Sequence, residues 1–168
     1  MKIDKLNIVR VTDDNIHDFV NVINNVAYWL EKNDMYVWNS GNLTKEKLLS
    51  KFKKEEMYIG YIDDVAISTI TLQDRDFEFW GENSGNENAI YIHRLSVLRD
   101  YAGQGISHKL LDFARNFAIE NSFSKLRLDC RDRPKLRKVY ESYGFRPVGL
   151  VKNPNDLHEF NVLYEIII

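Results

Sequence analysis

Cysteine is nearly absent. Cys130 stands alone, so no internal disulfide can form, and the chain reads as one from a reducing compartment. The four histidines, at positions 17, 93, 108 and 158, are scattered, and with no partner thiol they offer no metal-ligand spacing; the expectation is no metal. No stretch approaches the roughly 20 apolar residues of a membrane span. The first residues, Met1 to Lys5, are charged and lead into no apolar run, so no signal peptide is expected. Neither sign of charge dominates: 23 basic against 25 acidic residues leave a net charge of −2, which excludes a generic nucleic-acid binder. Repeats, low-complexity tracts and linkers are missing too. These absences point to a cytoplasmic protein with neither membrane nor nucleic acid as a partner.

What is present is a globular composition. Hydrophobic residues make up 44% and charged residues 29% of 168 positions, enough for one domain over 1–168 with a full core. Residues 6–11 read as a first strand. Thr12 is the expected cap of a helix carrying Ile16, Phe19, Val20, Ile23, Val26, Ala27 and Leu30, with Asp13 and Asp14 in its first turn and its end near Lys32. A loop over 35–41 follows. Thr44 caps a second helix whose apolar side is Leu48, Leu49 and Phe52. Met57 to Ile62 and Val65 to Leu72 form a hairpin about Asp63-Asp64. A polar loop then carries Asp76, Phe77, Phe79 and Trp80. Lys125 to Cys130 is a strand, and Pro134 opens a helix that Gly144 ends. Phe145 to Gly149 and Glu159 to Ile168 are the last strands. Helices alternate with strands, but hairpins sit early and late, which predicts an α/β fold with a mixed, mostly antiparallel sheet.

The stretch from Ile90 to Ala118 organises the rest. An apolar strand ends in Leu95-Ser96-Val97. A turn, Ala102-Gly103-Gln104-Gly105, leads into a helix with Ile106, Leu110, Leu111, Ala114, Phe117 and Ala118 on one side. Glycines let the backbone approach a ligand closely, and helix N–H groups favour an anion there. The alternative is an ordinary strand-to-helix turn. A dinucleotide fingerprint fits poorly, because Gly103-x-Gly105 has no third glycine and a hairpin precedes the strand.

This stretch resembles the central motif of the GNAT superfamily of N-acetyltransferases, Gln/Arg-x-x-Gly-x-Gly/Ala after a Leu-x-Val strand end. Gly105 aligns with the first required glycine, Ser107 replaces the second, and Ala102 stands where Gln or Arg is usual. Downstream, Leu126-Arg127-Leu128-Asp129-Cys130 resembles the family's fifth strand, and Leu136 to Phe145, with Tyr140-Glu141 and Gly144-Phe145, its closing helix motif. The resemblance runs from about Ala89 to Gly149. It implies a GNAT-like central sheet flanked by helices on both faces and acetyl-CoA as co-substrate. The pantetheine arm would pair with backbone at Leu95, Ser96 and Val97. The pyrophosphate would sit on Ala102, Gly103, Gln104, Gly105, Ile106 and Ser107, with Arg133 near the cofactor.

The same resemblance puts Tyr140 at the general-acid position, where a phenol can serve the departing thiolate. The alternative is a core tyrosine; Tyr143, on the same helix, is assigned to packing. His93 is the candidate base, since an ordinary imidazole pKa near 6.5 suits proton removal at neutral pH; Tyr91, Glu78 or water are alternatives. Strand alternation puts Tyr91, His93, Leu95 and Val97 on one face. Trp38, Asp76 and Trp80 are expected to meet the acceptor, with Asp76 attracting a cationic amine. Cys130 reads as a packed residue, because direct transfer needs no covalent intermediate. The implied function is acetyl transfer to a primary amine of a small molecule or peptide. Transfer of another acyl group and a non-catalytic CoA-binding sensor remain open, the latter because Ala102 lacks a side-chain donor. Enzymes of this size often dimerise, which leaves a homodimer open as well.

Overall fold

The computed structural model describes residues 5–38 and 40–168. Met1 to Asp4, the charged opening, and Asn39 in the first loop lie outside the described residues. The elements in order are β1 (Asn7–Arg10), α1 (Ile16–Lys32), α2 (Lys45–Lys51), β2 (Met57–Ile62), β3 (Val65–Gln73), β4 (Ala89–Val97), α3 (Ile106–Glu120), β5 (Lys125–Arg131), α4 (Pro134–Tyr143), β6 (Arg146–Asn153) and β7 (Asp156–Ile167). The seven strands form one sheet in the order β1-β2-β3-β4-β5-β7-β6. β1–β2, β2–β3, β5–β7 and β6–β7 pair antiparallel, and β4–β5 pairs parallel. This is the mixed, mostly antiparallel α/β architecture that the sequence predicts. No helix among the described residues is long and apolar enough to cross a membrane.

The chain divides into two compact units. The first comprises residues up to Thr71 together with Arg94–Lys109. Its interior is an apolar cluster in which Ile16, Phe19, Ile23 and Ala27 of α1 meet Leu48 of α2, Phe52, Met57 and Ile59. α1 starts later than the sequence suggests. Asn15, not Thr12, precedes it, and the Asn15 side chain accepts from the Thr12 N–H at 2.7 Å, closing a turn before the helix begins. Asp13 is drawn to Lys54 at 2.7 Å instead of to the helix end. Thr44 does cap α2, its hydroxyl accepting from the Lys47 N–H. Leu49 is exposed, however, because seven residues make barely two turns and only Leu48 faces the cluster. Asp63 and Asp64 both take positive φ, 48° and 64°, as a tight hairpin turn requires.

The second unit comprises Leu72–His93 and Leu110–Ile168. Leu126 and Leu128 of β5, Leu110, Leu111, Ala114 and Ala118 of α3, and Tyr164 of β7 are all buried. Pro134 is the first residue of α4, and Gly144 closes it at φ 116°. The closing hairpin is longer than the sequence suggests. β6 continues past Gly149 to Asn153. Pro147, inside the part read as strand, is tolerated because β6 is the sheet edge, and the register shifts between Pro147 and Gly149. Asn153 turns the chain, its side-chain oxygen accepting from the Asn155 N–H at 2.8 Å.

Candidate active site

In the first unit, β4 ends and the chain makes a short 3₁₀ turn over Arg99–Tyr101 before α3. Gly103 and Gly105 have φ of 76° and 80°, conformations that side-chain-bearing residues resist. A Cβ on Gly103 would meet nothing within 4 Å. Ala102, Gly103, Gln104 and Gly105 are exposed, whereas Ile106 is buried and anchors the helix start. The Gln104 side chain bends back to the Asp100 carbonyl at 3.2 Å. The backbone N–H groups of Gly103, Gln104 and Gly105 make none of the loop and turn hydrogen bonds among the described residues. The result is a run of free N–H groups at a helix N-terminus, which is the physical requirement for holding a phosphate.

Arg94 takes φ 50° within β4, a left-handed conformation that is costly for a non-glycine residue. The Arg94 carbonyl is held by the Thr69 hydroxyl at 2.8 Å, and its guanidinium lies over Trp38 at 5.2 Å and Phe52 at 5.7 Å. Trp38 packs against the apolar cluster. A left-handed residue interrupts the two-residue period, so the single face expected for Tyr91, His93, Leu95 and Val97 does not carry past His93; Ser96 is buried and Leu95 and Val97 are half-buried. No sequence signal marks Arg94, since arginine has no preference for positive φ.

In the second unit the β4–β5 ladder runs only from Ala89↔Lys125 to Ile92↔Leu128. Asp129, Cys130 and Arg131 go on pairing with β7 alone. Beyond the ladder, the fold brings Asp76, His93 and Asp129 together, with one side-chain nitrogen or oxygen of each within 4.8 Å of the others. The sequence hides this cluster because its members stand 17 and 36 positions apart. Two carboxylates about one imidazole form a composition that draws a cation.

Tyr140 lies on α4 with its ring near Phe145 (6.1 Å) and Tyr164 (6.1 Å). Burial raises its phenol pKa well above the ordinary value, and Cys130 and Asp129 push the same way. The other tyrosines of this unit spend their hydroxyls on protein acceptors: Tyr91 on the Ser84 carbonyl at 3.0 Å, Tyr143 on Asp112 at 2.9 Å and Tyr164 on Glu141 at 2.6 Å. The Tyr140 hydroxyl makes no hydrogen bond among the described residues. It is a protonated donor held in place with its hydrogen uncommitted.

The remaining candidates are engaged locally. Arg133 precedes α4 and pairs with Glu159 at 2.8 Å. Trp80 lies under the Arg127 guanidinium at 4.5 Å and edge-on to Tyr91 at 5.7 Å, and its buried Nε1–H has no acceptor among the described residues. Arg127 also donates to Glu165 at 2.7 Å and to the Tyr91 hydroxyl at 3.0 Å, so Tyr91 is tied into a structural network. Glu78 accepts from Asn155 at 2.7 Å. Asp76 is 6% exposed, with its N–H donating to Ser84 and its carboxylate accepting from the Phe79 N–H. Cys130 is buried, and burial first and Asp129 second push its thiol up to about 12, which leaves it inert as a nucleophile at neutral pH.

Comparison with known proteins gives these parts a common origin. The curated protein named as N-acetyltransferase YesJ, from Bacillus subtilis, is 27% identical over 147 residues, covering 83% of this chain and 81% of its own. A GNAT-family acetyltransferase structure from Listeria monocytogenes superposes with a TM-score of 0.76 at 18% identity over 97% of this chain and 95% of that one. The PaiA N-acetyltransferase of Thermoplasma acidophilum, solved in complex with coenzyme A, gives 0.75 at 16% identity over 97% and 99%. The family profile described as acetyltransferase (GNAT) domain matches residues 31–160, and the chain belongs to the GNAT acetyltransferase family.

Proposed function

We propose that the protein transfers the acetyl group of acetyl-CoA to a primary amine of a small molecule or peptide by direct attack in a ternary complex. The observation that carries the reading is Tyr140, a phenol kept protonated by burial and free of any hydrogen-bond acceptor among the described residues. The glycine turn before α3 and the coenzyme A seen in the Thermoplasma acidophilum relative support acetyl-CoA as the co-substrate.

Backbone from Leu95 to Val97 pairs with the pantetheine arm, since an extended amide-bearing arm can add to a strand as another strand would. The turn from Ala102 to Ser107 holds the pyrophosphate through backbone N–H groups, so Ala102 costs affinity without removing the cradle. Arg133 contributes only by leaving Glu159 for a phosphate. The acceptor arrives largely as an ammonium ion. His93 takes one proton from it, and the freed lone pair attacks the thioester carbonyl. The C–S bond then breaks, the thiolate takes the Tyr140 proton, and the nitrogen's remaining extra proton passes to the phenolate, which leaves an amide, a thiol and the His93 imidazolium. Trp38, Asp76 and Trp80 form the acceptor's surroundings, with Asp76 supplying the negative charge.

The test is thiol release from acetyl-CoA against polyamines, amino acids, aminoglycosides and peptides, beside calorimetry of acetyl-CoA alone. Turnover of any amine is the expected result. Binding without turnover would favour the sensor reading, and no binding at millimolar acetyl-CoA would overturn both.

A further inference from the structure

The polar groups about His93 continue outward in an ordered chain. The Asp129 carboxylate accepts from the Asn161 amide at 2.5 Å, and the Asn161 oxygen accepts from the Asn153 amide at 2.9 Å. Both asparagines are 4% exposed. Asn153 receives the Asn155 N–H, and the Asn155 amide donates to Glu78 on the loop that carries Asp76. The chain therefore leaves the cluster from β5, crosses β7 and the β6–β7 turn, and returns to the cluster's own loop.

Buried amides are costly unless every group is used, and a network whose members are all bonded fixes one arrangement. Its direction matters here. Each asparagine spends its N–H₂ toward Asp129, so Asp129 is addressed as an acceptor and its carboxyl group is held in one orientation. A carboxylate fixed in place beside an imidazole orients the ring and selects its tautomer, leaving the other ring nitrogen for chemistry.

We infer that Asp129, fixed by Asn161 and Asn153, is a positioning residue that orients His93 as the general base and, with Asp76, stabilises the imidazolium formed when His93 takes the acceptor's proton. This rests on the reading of His93 as base. The titratable groups grouped with the imidazole are Asp76 from the loop after β3 and Asp129 from β5. β7 contributes the neutral Asn161, and on β4 itself Tyr91 is committed to Ser84 and Arg127. Asp129 also acts on Tyr140, whose phenol its charge helps keep protonated. One carboxylate thus serves both proton-handling groups.

The experiment follows the His93 ring nitrogens by NMR across pH in the ¹⁵N-labelled full chain without substrate, beside the pH profile of kcat/KM. Replacing Asp129→Asn keeps the volume and removes the charge. The midpoint of His93 should fall by about one pH unit, because a nearby opposite charge raises an imidazole pKa by about that much or more. The acidic limb of kcat/KM should move with it. An unmoved midpoint overturns the inference whatever the activity does. A midpoint that moves while the limb stays fixed overturns His93 as the base and leaves only a structural contact. If Asp129→Asn does not fold, Asn161→Ser releases Asp129 without discharging it; the His93 signals should then report mixed tautomers, and an unchanged single tautomer overturns the inference. Spectra that change on adding EDTA would assign the cluster to a bound metal ion and overturn it equally.

Discussion

Both units bury an apolar interior, but among the described residues only the second buries a carboxylate and amides; the first buries only hydroxyls beside its apolar groups. The first packs Phe19, Ile23, Met57 and Ile59 into an apolar cluster and exposes, at the start of α3, a turn that offers a ligand only backbone. The second buries Asp76, Asn153 and Asn161 and groups two carboxylates with a histidine. Apolar burial is non-directional and contributes stability in proportion to area. Buried polarity contributes little net stability and costs much when mispaired, so it persists where it orients something. Under the proposed function this difference is a division of labour: the first unit would bind with main chain, and the second would handle protons with side chains.

The sharpest way to break this division is to place a side chain where the cradle is main chain. Gly105→Val puts a branched side chain at φ 80° and blocks the backbone's approach to the pyrophosphate. Calorimetry should find acetyl-CoA binding lost, with circular dichroism retained. Gln104→Ala, its neighbour, removes a side chain that only reaches back to Asp100, and should leave affinity unchanged within about threefold, since exposed substitutions of this kind usually shift free energies by about 0.5 kcal/mol or less. A large effect of Gln104→Ala with a small one of Gly105→Val would reverse the reading.

The second test sets two tyrosines of α4 against each other. Tyr140→Phe keeps the ring contacts with Phe145 and Tyr164 and deletes the uncommitted hydroxyl. Steady-state kinetics should show kcat lower by about 10²–10⁴-fold with acetyl-CoA affinity nearly unchanged. Tyr143→Phe loses the bond to Asp112, so kcat should stay and stability should fall by about 1 kcal/mol. A Tyr140→Phe enzyme within about threefold of wild type would return Tyr140 to packing.

These tests fall unequally on what the sequence made legible. The turn was readable because its chemistry is local: glycines, a preceding strand and a following helix stand within one short window. Tyr140 was readable through the family motif around Gly144. The cluster of Asp76, His93 and Asp129 was not, because nothing local links three elements so far apart in sequence; His93 was found by its pKa class, and Asp129 read only as part of the fifth strand. The left-handed Arg94 was invisible for a related reason, since its conformation is sustained by Thr69, Trp38 and Phe52 rather than by its own preference. The closing hairpin reads short because Asn153-Pro154-Asn155-Asp156 carries turn chemistry that hides the strand residues flanking it.

The third test probes the apolar side of the comparison. Phe19 is fully buried in the first cluster. Phe19→Ala should cost about 3–5 kcal/mol in urea unfolding. The residual native protein should keep its acetyl-CoA affinity and its kcat pH profile. A displaced pH profile would mean that the first unit's packing also sets the proton chemistry.

The smallest effect belongs to Cys130, a buried thiol beside Asp129. Its folded-state value is pushed from 9.0 up to about 12, by burial first and Asp129 second. The sign follows: a thiol harder to ionise when folded contributes stability that is full below pH 9 and is lost as pH rises toward 12, at up to about 1.4 kcal/mol per pH unit. Tyr143, raised from 10.0 to about 12 by burial first and Asp112 second, adds a loss of the same sign only above pH 10. Tyr61, Tyr91, Tyr140 and Tyr164, each raised by burial first, lose stability with the same sign near and above pH 10, so the thiol's share is the difference between the urea midpoints of wild type and Cys130→Ala from pH 9 to 10. Cys130→Ala should flatten the slope in that window and lower neutral-pH stability by about 1 kcal/mol, a typical cost for a single substitution. It should leave acetyl transfer intact, since direct attack by the amine asks nothing of a thiolate. Activity that disappears with Cys130 would point instead to an acyl-thiol intermediate, and the direct-transfer mechanism would fall with it.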